Sequence, residues 1–134
     1  MLIPVDDQPK TIEEDYQYID NMNTDYEKWL KRDLEGATAE AHHSIGQWIR
    51  NNFGLWEKHS NLKDWFIENY MLNHPDDISS LILIYFHKKK NGVDTDLTKY
   101  VNKYHKYWEK HIPNYKLKLR KHKLKRLCSK LVIK

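Results

Sequence analysis

Two polar strings hold the residues best suited to chemistry: Arg50-Asn51-Asn52 and His74-Pro75-Asp76-Asp77. Brought together, Arg50 would clamp an anion with Asn51 and His43 beside it. His74 with Asp76 or Asp77 would then move a proton or hold a metal. The same residues also suit a structural task. Carboxylates in the first helical turn accept free backbone N–H groups and meet the positive end of the helix dipole. An Arg–Asp pair braces two segments. Pro-Asp-Asp ahead of an apolar run is what a helix start alone requires. The structural task is therefore the preferred reading, with His74, Asp76 and Asp77 as the catalytic alternative.

Other chemistries find little support. There are eight histidines but no H-E-x-x-H spacing, and the adjacent His42 and His43 diverge by about 100° on a helix. No metal and no cofactor is expected. Four glycines build no phosphate-cradling loop, and no serine sits in a Gly-x-Ser-x-Gly elbow. Cys128 lies near Arg126 and Lys130, which would favour its thiolate. Its register more simply makes it a small apolar residue on the buried face of a last helix. A lone cysteine forms no internal disulfide, so a reducing, cytoplasmic setting is expected. The N-terminus does not read as a signal peptide. The longest apolar run, Leu81 to Phe86, falls far short of the roughly 18 residues of a membrane span.

Charge is unevenly placed. Residues 1–86 carry 7 Lys+Arg against 16 Asp+Glu, a net of −9. Residues 87–134 carry 16 against 3, a net of +13, so the overall +4 averages two unlike parts. Lys116, Lys118, Arg120, Lys121, Lys123, Lys125, Arg126 and Lys130 form the densest stretch. They are the candidate polyanion-binding residues, continuing a cationic run through Lys88–Lys90, Lys99, Lys103, Lys106 and Lys110. Interleaved Tyr100, Tyr104, Tyr107 and Tyr115 would stack on bases if exposed. The competing readings are docking on the acidic part of the same fold, an acidic protein partner (a second copy included), and an anionic membrane surface.

These residues need elements to position them, and spacing predicts helices throughout. Thr11 with Glu14 is a capping box, followed by Ile12, Tyr16 and Ile19 on one face. Thr24 with Glu27 opens a second helix, with Tyr26, Trp29, Leu30 and Leu34 as its stripe and Gly36 as its stop. A third runs from Thr38 to Asn52, where Gly54 ends it. Ser60 caps a fourth carrying Leu62, Trp65, Phe66 and Tyr70. The fifth starts at Pro75, is apolar nearly all round from Ile78 to Phe86, and stops at Asn91-Gly92. The sixth spans Thr95 to His111, and a basic amphipathic helix follows with Leu124, Leu127, Cys128, Leu131 and Val132 in register. Trp29, Trp48, Trp65 and Trp108 fall on apolar stripes and are expected in the core, whereas Trp56 suits a plug or an exposed anchor. The expected fold is all-α, a compact orthogonal bundle of about six helices with a basic C-terminal helical extension. Residues 1–112 would form the acidic-to-mixed domain and 113–134 the basic helix.

Longer strings carry a resemblance. Gly46-Gln47-Trp48-Ile49-Arg50-Asn51-Asn52-Phe53-Gly54-Leu55-Trp56 and His74-Pro75-Asp76-Asp77-Ile78-Ser79-Ser80 occur in order, with Ser60-Asn61-Leu62, Trp65-Phe66 and the run to Gly92 between and after them. They resemble a family of small bacterial proteins catalogued as a domain of unknown function, over about residues 9–92. Phe53 stands where that family usually has Trp, and the basic C-terminal part lies outside its pattern. The resemblance implies a bacterial or phage origin and no particular activity. The expected function is therefore non-catalytic: binding nucleic acid or an acidic protein through the basic end, in the manner of an inhibitor or an immunity or counter-defence protein. The alternative is a small enzyme or ligand binder with a polar pocket around Arg50, His74 and Asp76/Asp77. A homo-oligomer is not indicated.

Overall fold

The computed structural model describes residues 3–22, 25–58 and 60–132, without the side chains of 126 and 129–132. Among the described residues there are eight α-helices and no strand: α1 (Ile12–Met22), α2 (Glu27–Lys31), α3 (Leu34–Ala41), α4 (Ile45–Asn52), α5 (Asn61–Tyr70), α6 (Pro75–Lys90), α7 (Thr98–His111) and α8 (Tyr115–Val132). None is long and apolar enough to cross a membrane.

The apolar run of residues 78–86 is helical, and α6 is the axis of the bundle. Ile78, Leu81, Ile82, Leu83, Ile84 and Phe86 are all buried, because α1, α3, α4 and α5 all pack on α6. A helix surrounded in this way needs apolar residues at every angle rather than a single stripe. Its start is as expected, with Pro75 in the first turn and Asp76 and Asp77 beside it. The cap itself is His74, whose Nδ1 accepts the Asp76 amide N–H at 3.1 Å.

Several local signals operate as the residues suggest. Thr11 Oγ1 accepts from the Glu14 amide at 3.1 Å, and Glu14 reaches back to the Lys10 amide. Ser60 Oγ accepts from the Lys63 amide. The Thr24 capping box lies outside the described residues.

Two expected helices are each divided. The second ends at Lys31, and Asp33 then caps a new helix by accepting from the Gly36 amide, so Gly36 lies inside α3 instead of ending a helix. The third breaks at residues 42–44, between α3 and α4. The break turns the His42 carbonyl toward the interior, where a buried side chain from α4 satisfies it. Helical spacing is nearly preserved through so short a break, which is why the apolar pattern reads as continuous.

The last helix is seated differently from the expectation. It begins at Tyr115, after Asn114 in a left-handed conformation (φ 59°). Tyr115 and Leu119 are buried, and α8 packs on α5 and α7. Leu124, Leu127 and Cys128 are exposed, which corrects the assignment of Cys128 to a buried face. Leu119 and Leu124 are five residues apart, which sets them about 140° apart round the helix, so the buried face is a different one from the Leu124-centred stripe. Leu131 and Val132 have side chains outside the described residues.

Candidate functional site

Arg50, in the last turn of α4, is only 5% exposed. Its Nη1 donates to Ser79 Oγ at 2.8 Å and its Nη2 to the His42 carbonyl at 2.9 Å. Its Nε lies 3.5 Å from Asp76 Oδ1. All three nitrogens therefore face internal partners, and the guanidinium ties the end of α3 to α4 and to the start of α6. Gly46 makes room for it: a Cβ there would stand 3.1 Å from the Ala41 carbonyl oxygen and 3.3 Å from Arg50 Nη1. Burial and the neighbouring Arg50 charge hold the His42 imidazole below its ordinary pKa. Asn51 and His43 do not join this cluster. Both are exposed; Asn51 accepts from the Trp56 indole N–H at 3.1 Å, and His43 packs edge-on against His42.

His74 and Asp77 face another way. The His74 ring stacks on Trp108 of α7, with centroids 5.1 Å apart, and the Trp108 indole N–H donates to Asp77 Oδ2 at 2.7 Å. Burial pushes the Asp77 carboxyl up from its ordinary pKa, with the Trp108 hydrogen bond pulling the other way. Burial, then the charge of Asp77, pushes the Tyr104 hydroxyl up to about 12. His74, Asp76 and Asp77 form one wall of an open cleft of about 470 Å³; Lys103, Tyr104, Tyr107 and Trp108 form the other. Sequence reasoning missed that second wall. The spacing of Val101, Tyr104 and Trp108 marks a buried stripe, but it does not show that the stripe ends over the polar start of α6. The polar set thus divides. Arg50 is an internal brace, Asp76 lies between brace and cleft, and His74 with Asp77 line the cleft. Among the described residues no group of three or more His, Cys, Asp or Glu could hold a metal ion.

The cations of the basic end also divide. Lys89 and Lys90, at the end of α6, pair with Glu13 and Asp20 of α1, the latter at 2.8 Å. Hydrogen bonds from these lysines, with those of Tyr85 and Tyr26, hold both carboxyls below their ordinary range. The acidic first helix is therefore clasped from α6. On α8, Lys116 pairs with Glu109 at 2.8 Å, and half-buried Lys123 donates to the Glu68 carbonyl at 2.9 Å. Lys118, Arg120, Lys121 and Lys125 are exposed, with no ion pair among the described residues. The side chains of Arg126 and Lys130 lie outside the described residues. Lys99, Lys103, Lys106 and Lys110 are exposed on α7.

The tyrosines follow a different pattern. Tyr115 is buried, and Tyr100 and Tyr104 pack against the core. Only Tyr107 of the four is exposed, and it stacks on His111. Of the tryptophans, Trp29, Trp48 and Trp65 pack half-buried against the core, and Trp56 stands 59% exposed.

Comparison with the curated proteins and with the solved structures finds no match to this chain. The cleft draws its second wall from α7 and the basic surface lies on α7 and α8, whereas Arg50, His74, Asp76 and Asp77 all fall in the first six helices. Those six helices coincide with a known sequence family: the profile described as a domain of unknown function (DUF6794) matches residues 8–90, and the chain belongs to that family.

Proposed function

We propose that this protein binds an anionic macromolecule through the outer surface of α7 and α8, without catalysis. The observation that carries this reading is the arrangement of charge. Two carboxylates of the acidic α1 are paired with Lys89 and Lys90, while Lys118, Arg120, Lys121 and Lys125 are exposed on α8 and Lys99, Lys103, Lys106 and Lys110 on α7, the helix packed against it. A cationic surface of this kind attracts phosphates or acidic side chains through long-range charge and counterion release. Base stacking contributes little, because Tyr107 alone among the interleaved tyrosines is exposed. The expected partner is therefore a duplex backbone or an acidic protein face, read by charge with little sequence choice.

The test uses the full chain, since truncation at residue 114 would also remove Tyr115 and Leu119, which seat α8. Binding to duplex DNA is measured against salt for the parent and for the variant Lys118→Ser, Arg120→Ser, Lys121→Ser, Lys125→Ser. Each lost phosphate contact lowers the salt slope by about 1. A shallower slope and weaker binding in the variant support the nucleic-acid form of the reading. If the parent binds neither DNA nor an acidic polypeptide such as polyglutamate, the reading fails.

A second reading rests on the cleft. An open space of about 470 Å³, lined by a half-buried carboxyl, a histidine, a lysine and two tyrosines, has the form of a small-ligand site. Asp77→Asn in a stably folded chain would abolish ligand binding there and leave polyanion binding unchanged.

A further inference from the structure

A separate groove opens on the opposite chemistry. It has a volume of about 540 Å³ and lies among the end of α1, α2, the α3–α4 junction and α6. That is within the usual range for sites that hold small organic molecules. Its walls include Tyr26, Trp29, Trp48 and Phe86, and Asp25 and Glu40 belong to its lining. No Lys, Arg or His lines it among the described residues. The groove lies within residues 8–90 and shares no residue with the basic surface or the polar cleft.

Two of the polar tips among the aromatic walls are already satisfied. The Trp29 indole N–H donates to the Ala37 carbonyl at 2.7 Å, and the Tyr26 hydroxyl donates to Asp20 at 2.6 Å. Tyr26 and Trp29 therefore add apolar area and the negative faces of their π-systems, not hydrogen-bond donors. Glu40 pairs with Arg32, but both are about half exposed, and such a pair is worth little and exchanges readily. Aromatic walls with carboxylates at the edge favour positive charge carried on an apolar body.

The chain already uses this chemistry on its own ammonium groups nearby. Lys90 Nζ lies 5.2 Å from the Tyr26 ring centroid and 2.8 Å from Asp20, and Lys89 Nζ lies 4.5 Å from the Tyr16 centroid beside Glu13. We propose that the groove binds an organic cation, an ammonium group attached to an apolar aromatic or aliphatic body. The body fills the space over Trp48 and Phe86, and the charge sits near Asp25 and Glu40.

Three probes with one body and different heads test this on the full chain: 4-phenylbutyltrimethylammonium, 4-phenylbutanol and 4-phenylbutyrate. Calorimetry gives the affinities. The indole N–H resonances of the five tryptophans locate the site, with Trp56 and Trp108 as controls outside the groove. The cation should bind at least about tenfold more tightly than the alcohol, and the carboxylate most weakly. Trp29 and Trp48 should shift, and Trp56 and Trp108 should not. Asp25→Asn with Glu40→Gln, both at exposed positions, should bring the cation down to the level of the alcohol and leave the alcohol unchanged. Equal binding of all three probes would overturn the proposal, as would preference for the carboxylate, shifts centred on Trp108, or no saturable binding of the cation at millimolar concentration.

Discussion

Asp15 offers the sharpest quantitative test of the packing. It lies on the buried face of α1 between Ile12 and Ile19, it is fully buried, and neither carboxyl oxygen has a hydrogen-bond partner. Burial, with a smaller contribution from the Glu14 charge, pushes its pKa well above the ordinary value. The folded chain thus binds a proton that the unfolded chain releases. Stability is greatest below the unfolded carboxyl pKa of about 3.9 and falls as pH rises from there toward the folded value. An unsatisfied buried polar group costs about 1–3 kcal/mol. Asp15→Val removes both the polar group and the proton uptake, so it should gain about that amount at pH 7. For 134 residues this corresponds to a Tm higher by about 4–10 °C. Asp15→Asn keeps a polar group in place but cannot ionise, so it should flatten the pH dependence and gain less at pH 7. Urea unfolding of the three proteins at pH 4 to 8 measures all of these quantities. Loss of stability in both variants at pH 7, with an unchanged pH slope, would refute the reasoning and show that Asp15 takes up no proton on folding.

Three further outcomes follow from the contacts. Arg50→Met leaves the His42 carbonyl without its donor and removes the Arg50 contacts of Ser79 and half-exposed Asp76, and should cost about 1–3 kcal/mol in denaturant unfolding, while polyanion binding by the folded fraction stays unchanged. Asp77→Asn keeps an acceptor for the Trp108 N–H and removes a carboxyl whose pKa burial raises. It should therefore be at least as stable as the parent at pH 7 and lose part of the fall in stability as pH rises, followed by thermal unfolding at several pH values. Leu119→Ala should cost about 2–5 kcal/mol in denaturant unfolding because this side chain seats α8, whereas Leu124→Ala, at 61% exposed, should change stability by less than about 0.5 kcal/mol.

Much of this molecule was legible one segment at a time. Helix type, the Thr11 and Ser60 caps, the Pro75 start and the all-round apolar character of α6 rest on interactions within a few residues, and local spacing carries those. So does the charge division, and the strings around Arg50 and His74 were enough to suggest the family. Tertiary packing decided the rest. Whether Arg50 faces a ligand or a brace depended on Ser79, 29 residues away, and on a helix break at residues 42–44 that barely disturbs the apolar period. The second wall of the cleft depended on where α7 crosses the start of α6. The seating of α8 by Tyr115 and Leu119, with Leu124 left outside, depended on α5 and α7. Asp15 was hidden for the same reason: a charged residue in an acidic stretch looks solvent-facing until the partner helix is in place. Periodicity tells which residues share a face, and only the packed neighbours tell what that face meets.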